Sequence, residues 1–234
     1  MFIKTIDPKR TIKVPGNASE TVAYAAKHFI DCAKTGIHKY GSFLVALSGG
    51  STPKAIYEKL ASDYKDALDW QKVLLFWSDE RAVSEFDSES NYKMAMDAGF
   101  TKLPALPFKM QGEGDIQAHA LQYEALLRKI LGDRHFDLIM LGVGEDGHTA
   151  SLFPNTKGLT VKDKWVVANE VPQKKTWRMT FTYPLINSAH NTVFYAMGES
   201  KQTILKEVFS TSTHPASLVS PSLWILDSAA AKFL

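Results

Sequence analysis

Three short segments of this chain concentrate residues able to do chemistry. In Gly142-Val143-Gly144-Glu145-Asp146-Gly147-His148-Thr149-Ala150-Ser151, an aspartate stands two residues before a histidine within a glycine-rich run. Imidazole titrates near neutrality, so a histidine suits general base work at physiological pH. A carboxylate two residues away can orient the ring, or both groups can face one ligand. In Trp77-Ser78-Asp79-Glu80-Arg81, three charged residues run in succession. Asp79 and Arg81 are candidate site residues there, and Glu80 reads as a partner for Arg81. Leu47-Ser48-Gly49-Gly50-Ser51-Thr52-Pro53 pairs two glycines with three hydroxyls. Glycines let a backbone approach a ligand closely, and free N–H groups at a helix start favour an anion. The spacing is neither that of a P-loop nor that of a dinucleotide fingerprint. Taken singly, the three segments are also what a capped turn or a solvated charged corner presents.

Two cations come later. Arg178 lies in Trp177-Arg178-Met179-Thr180-Phe181, a setting in which an unpaired charge is costly. Lys201 sits in Gly198-Glu199-Ser200-Lys201 at an expected helix start, where a cation opposes the helix dipole unless an anion joins it. An arginine can grip a phosphate with two parallel hydrogen bonds. The other histidines (His28, His38, His119, His135, His190 and His214) lack comparable context and read as surface or satisfied groups. No Cys/His cluster suggests a metal site.

The elements that must position these residues alternate. Asn17-Ala18-Ser19-Glu20 reads as a capping box. Val22, Ala25, Ala26, Phe29, Ile30 and Ala33 then recur at helical spacing, and Gly36 is the expected stop. Phe43 to Leu47 is a continuous apolar run, as a strand buried on both faces requires. Thr52 is the expected N-cap of the next helix, with Pro53 at its first position. Strands follow over Val73–Trp77 and Phe136–Leu141, with helices over Asn91–Ala98 and from Asp115 to about Leu131. Val166–Ala168, Arg178–Tyr183, Thr192–Met197 and Trp224–Leu226 read as later strands, and Ser200–Val208 as a helix. Buried strands separated by helices predict an α/β fold, a largely parallel sheet with helices on both faces. Ligands of such sheets bind beyond the carboxyl ends of the strands. Each chemistry-bearing segment lies just there.

The 234 residues fit one domain, residues 1–234, with no repeat or linker. A net charge of +2, from scattered basic residues, argues against nucleic-acid and membrane partners. Cys32 is the single cysteine, which rules out an intrachain disulfide and suits a reducing compartment; it reads as core or near-core. No leader pattern and no long apolar stretch is visible, so the expectation is cytoplasmic.

Together these segments resemble the 6-phosphogluconolactonase family. The matching pieces are the Leu47–Pro53 loop, Ser78-Asp79-Glu80-Arg81 with Ser90-Asn91-Tyr92, the run from Leu141 to Pro154, Arg178 with its strand, and Gly198–Lys201. They cover roughly Ala18 to Leu226, in the family's order. The resemblance implies a three-layer αβα, Rossmann-like domain that hydrolyses 6-phospho-D-glucono-1,5-lactone, the second step of the oxidative pentose phosphate pathway. It implies no metal and no organic cofactor, and a phosphorylated sugar lactone as the only partner; a monomer is expected. His148 becomes the base, with Asp146 influencing its orientation and Asp79 as the rival. Arg81 and backbone N–H groups of a glycine-rich loop, among them Gly144, would meet the oxyanion. Arg178 and Lys201 would take the phosphate, and the loop of Ser48, Gly49, Gly50, Ser51 and Thr52 would take either the phosphate or the sugar hydroxyls. The related glucosamine-6-phosphate deaminase/isomerases place a glutamate seven positions after the Asp-Gly-His aspartate and a tyrosine after the Asp-Glu pair. Here those positions are Phe153 and Arg81, which favours the lactonase. A non-catalytic sugar-phosphate sensor is the other alternative. Retention of both Asp79 and His148 speaks against it.

Overall fold

The structure is a computed structural model that describes residues 2–234. It opens with a hairpin of β1 (Phe2–Asp7) and β2 (Arg10–Val14), which the apolar pattern did not announce. Helix α1 (Ala18–Tyr40) starts on the expected capping box: Asn17 accepts from Glu20 N, and the Glu20 carboxylate accepts from Asn17 N. The helix does not stop at Gly36. It runs a further turn to Gly41, which takes the left-handed conformation and donates its N–H to Ile37 O. Gly36 is a site of close approach instead. A Cβ there would stand 3.0 Å from the Asp137 carboxylate and 3.2 Å from the Phe43 ring.

The frame continues through β3 (Phe43–Leu47), α2 (Ser51–Asp63), β4 (Val73–Trp77), β5 (Asp79–Arg81), α3 (Asn91–Asp97), β6 (Leu106–Pro107), α4 (Ile116–Leu131) and β7 (Leu138–Leu141). Then come β8 (Val166–Val171), β9 (Thr176–Phe181), α5 (Tyr183–Ile186), β10 (Thr192–Ala196), α6 (Gln202–Ser210) and β11 (Ser222–Leu226). Eight strands form one sheet in the order β1-β2-β11-β10-β7-β3-β4-β6, parallel throughout except for the β1–β2 hairpin. Every residue of β3, β7 and β10 is buried, so both faces of the sheet are covered. This is the α/β architecture expected.

Two further expectations change. Helix α2 begins at Ser51, so its N-cap is Gly50, not Thr52, and Pro53 stands at the third helical position. Gly50 has φ 103°, a conformation that a threonine would resist. The segments around Val166 and Arg178 do not join the main sheet either. With β5 they form a separate antiparallel sheet in the order β5-β9-β8. The switch occurs at Ser78, whose N–H and hydroxyl both reach Leu47 O while its carbonyl accepts from Phe181 N. A third adjustment is smaller: Ser200 lies in a 3₁₀ turn (Glu199–Lys201), and α6 starts after it.

Strand order fixes where a ligand can sit. The chain moves from β3 outward to β4 and β6, crosses back to β7, and proceeds the other way through β10 and β11. The reversal lies between the neighbours β3 and β7. Their carboxyl ends therefore flank a crevice at a topological switch point.

Candidate active site

The loops leaving β3 and β7 meet β5 and β9 around one open cleft. Of the expected residues, Ser48, Gly49, Gly50, Asp79, Arg81, Gly144, His148 and Arg178 line it, joined by Asn91, Gly142, Val143 and Ala150.

The β3 loop is held by Tyr57 of α2. Its buried hydroxyl donates to Ser48 O at 2.8 Å and accepts from Ser48 N at 3.0 Å. Gly49 must lack a side chain, because a Cβ would lie 2.0 Å from Asn91 Oδ1. Gly50 offers no side chain to cap α2, so a cap does not satisfy the helix's leading N–H groups beside the cleft. Ser51 and Thr52 form the first turn of α2 and do not reach the cleft wall.

Alternation along β5 sends Asp79 and Arg81 to the cleft side and Glu80 to the other. Asp79 is buried. Its carboxylate accepts from Ser151 Oγ at 2.7 Å and from Asn91 Nδ2 at 3.2 Å. Glu80 does not pair with the Arg81 guanidinium. It accepts from the backbone N–H groups of Arg81, Asn91 and Tyr92 and from Ser90 Oγ, so it anchors the start of α3. Burial pushes the Glu80 carboxyl up from its ordinary value, and those bonds partly oppose the shift.

Arg81 and Arg178 stand directly opposite each other across the β5–β9 pair. Arg81 is steadied by a bond from Nη1 to Glu89 O. Burial pulls the Arg178 guanidinium below its usual value, and the adjacent Arg81 charge pulls it further. The Nε atoms of both arginines are buried and unpartnered among the described residues. Two guanidinium groups on one wall give the cleft a positive side suited to anionic groups of a ligand.

The β7 loop folds back tightly. Gly144 N donates to His148 O at 2.9 Å, and Gly147 N to Gly144 O at 3.0 Å. Asp146 Oδ1 lies 3.1 Å from His148 N and 2.5 Å from His148 Nδ1. Partial burial alone would raise the Asp146 carboxyl, but the His148 side-chain and backbone contacts bring it down to about 2. With Nδ1–H committed to Asp146, Nε2 is the ring's available base. Gly144 admits this fold because a Cβ would lie 2.0 Å from the imidazole. Phe153 stacks on the ring with centroids 3.9 Å apart and planes 19° from parallel. An apolar ring, not a carboxylate, thus covers this face of the imidazole.

Lys201 lies off the cleft wall. Its Nζ donates to Val143 O at 2.8 Å, which ties the 3₁₀ turn to the β7 loop. Sequence reasoning missed four supports: Ser151, Tyr57, the cleft-lining role of Ala150, and His214. His214 packs on the turn, with Nδ1 3.4 Å from Asp146 O and Nε2 3.2 Å from Glu207. Nothing local marks the roles of Ser151 and His214, whose partners lie 72 and 68 positions away. Cys32 is half-buried, and burial pushes its thiol up to about 12. Among the described residues no group of three His, Cys, Asp or Glu is placed to hold a metal ion, and no helix is long and apolar enough to cross a membrane.

Comparison with known proteins bears on the family and the fold. A 6-phosphogluconolactonase of Chlamydia trachomatis is 39% identical over 223 residues, covering 92% of this chain and 87% of the relative. The structure of a 6-phosphogluconolactonase from Trypanosoma cruzi superposes with a TM-score of 0.85 at 26% identity, covering 100% of this chain and 99% of the other. A monomeric glucosamine-6-phosphate deaminase shares the fold at 21% identity, with a TM-score of 0.80 over 95% of this chain and 99% of its own. Residues 16–225 match the family described as glucosamine-6-phosphate isomerases/6-phosphogluconolactonase, and the chain belongs to that family.

Proposed function

We propose that this chain hydrolyses 6-phospho-D-glucono-1,5-lactone to 6-phospho-D-gluconate. One observation carries the reading. An aspartate-oriented histidine shares a cleft with two opposed arginines, beside the uncapped start of a helix. That is a base for water together with sites for two anionic groups, the substrate's phosphate and the oxyanion that forms at its carbonyl.

The steps follow from the groups present. His148 Nε2 takes a proton from water as the water oxygen bonds to the lactone carbonyl carbon. The charge that develops on the carbonyl oxygen meets Arg81 and the N–H groups of the glycine-rich loop at Gly144; one good donor of this kind contributes about 3–4 kcal/mol. Collapse breaks the ring C–O bond, and the leaving oxygen takes the proton from Nε2. Asp146 holds the imidazole through this cycle and stabilises its protonated form. Arg178 takes the phosphate, with Lys201 adding positive charge from behind Val143 and the Ser48–Thr52 loop supplying N–H groups. Phosphate contacts of this kind also position the carbonyl. A single domain of residues 1–234, monomeric and cytoplasmic, completes the proposal.

The test is hydrolysis of freshly generated lactone, corrected for spontaneous opening, with wild type beside His148→Ala. The variant is expected to lose about 10²–10⁴-fold in turnover. A folded wild type with no rate above background would sink the reading, and ammonia release from glucosamine 6-phosphate would then be assayed.

A further inference from the structure

We propose that Ser151 is a positioning residue for this site: its hydroxyl, carried by the histidine loop, clasps Asp79 and so fixes the orientation of that carboxylate in the cleft. The inference rests on the lactonase reading of the same site, and it concerns how a carboxylate on one wall of the cleft is aimed by a hydroxyl on the other.

Asp79 belongs to the small antiparallel sheet, and His148 to the loop leaving the parallel one. Ser151 lies three residues beyond His148, is 1% exposed, and donates from Oγ to Asp79 Oδ2 at 2.7 Å. A bond donated to a carboxylate is about twice as strong as a neutral one. All three strands of the small sheet hold Ser151 in place. From β5 comes Asp79 itself. From β9, Thr180 Oγ1 accepts from Ser151 N at 3.1 Å, and Thr180 is the direct cross-strand partner of Asp79. From β8, buried Asn169 donates from Nδ2 to Ser151 O at 2.9 Å and to Thr156 Oγ1 at 2.9 Å. The backbone is bent to allow this. Ala150 adopts φ 47°, a left-handed conformation rare outside glycine, at the corner of a turn closed by Leu152 N on Thr149 O. Strain of this kind persists only where surrounding contacts over-determine it. Here they aim the Ser151 hydroxyl at Asp79.

The second oxygen of Asp79 is held by Asn91, which also donates to Asp79 O at 2.9 Å. The carboxylate thus has one donor from the β7 loop and one from α3, and it lines the cleft between them. Without the serine hydroxyl, the only side-chain bond among the described residues that joins Asp79 to the histidine loop is gone. Asp79 is then free to rotate on the Asn91 contact alone.

Ser151→Ala and Ser151→Cys should be compared with wild type by steady-state kinetics on the lactone and by crystallography. Because Asp79 shares the cleft wall with His148, where its carboxylate would contact the substrate, the expected result is a fall in kcat of about tenfold or more for alanine, with cysteine, a weaker donor of similar size, between the two. KM should stay within about threefold, because the phosphate contacts that dominate binding are untouched. The alanine structure should show Asp79 rotated, with the 142–150 backbone in place. Unchanged kcat would overturn the proposal, as would lost activity with Asp79 unmoved or with the whole loop displaced. If alanine fails to fold, cysteine carries the same comparison. The crystallographic result reads Asp79 whether or not the lactone is turned over, so a failed lactonase reading shows separately, as absent wild-type activity.

Discussion

Single residues at this site are legible as chemistry but not as partnerships. The Asp146–His148 pair was readable from a spacing of two, because a tight glycine turn brings such neighbours together wherever the chain goes. The pair also has a pH signature. Asp146 titrates at about 2 in the folded protein, below the 3.8 of a free carboxyl. A depressed carboxyl stabilises the fold above the unfolded value and loses that contribution as pH falls through the folded one. The side chain is 41% exposed, so solvent screening keeps the effect small. Asp146→Asn should therefore melt slightly below wild type at neutral pH, and the gap should close between about pH 4 and 2 in a thermal scan series. A gap independent of pH would mean that the contact does not hold the carboxylate. Glu80 shows the opposite case: a charged residue beside an arginine reads as an ion pair, yet strand alternation turned it away to cap a helix.

At the scale of elements, apolar runs and caps located most of the frame. Asn17 and Glu20 opened α1 as a capping box, and Asp115 caps α4 on Gln117 N and Ala118 N, as their spacing suggests. Gly36 misled because a glycine late in a helical pattern reads as a stop, while here it relieves a contact. Alanine at this position should gain about 1 kcal/mol in helix propensity. It would also force α1 against two groups that cannot yield. Asp137 is fixed by Leu44 N at 2.8 Å and by Arg134, and Phe43 is fully buried. Overpacking costs about 1–3 kcal/mol, so Gly36→Ala should be net destabilising in a urea titration. A gain in stability would show that the helix has room to move.

The whole molecule decides where the chemistry gathers. Reversal of strand order between β3 and β7 opens the crevice, and the small antiparallel sheet supplies its second wall with Asp79, Arg81 and Arg178. Because the cleft joins both sheets, a ligand that fills it stabilises the entire fold. The product 6-phosphogluconate at about 100 times its Kd should add about 2.7 kcal/mol. For a chain of this length that is a rise in Tm of about 5–10 °C by calorimetry. Arg178→Ala should abolish most of the rise. An equal rise in the variant would remove Arg178 from the anion site.

What the sequence alone determined is therefore the local and the periodic. Strands buried on both faces, helix caps, glycine turns and the histidine with its aspartate all follow from residues within a few positions of one another. The tertiary structure decided the rest. It placed β8 and β9 in a second sheet, gave Arg81 an arginine opposite it, set Ser151 on Asp79 and rested His214 on the Asp146–His148 turn. The physical reason is that strand pairing and side-chain clasping join residues 68 to 101 positions apart; the last figure is the step from Asp79 to Thr180. Their energies depend on register and packing, which no short window of sequence contains.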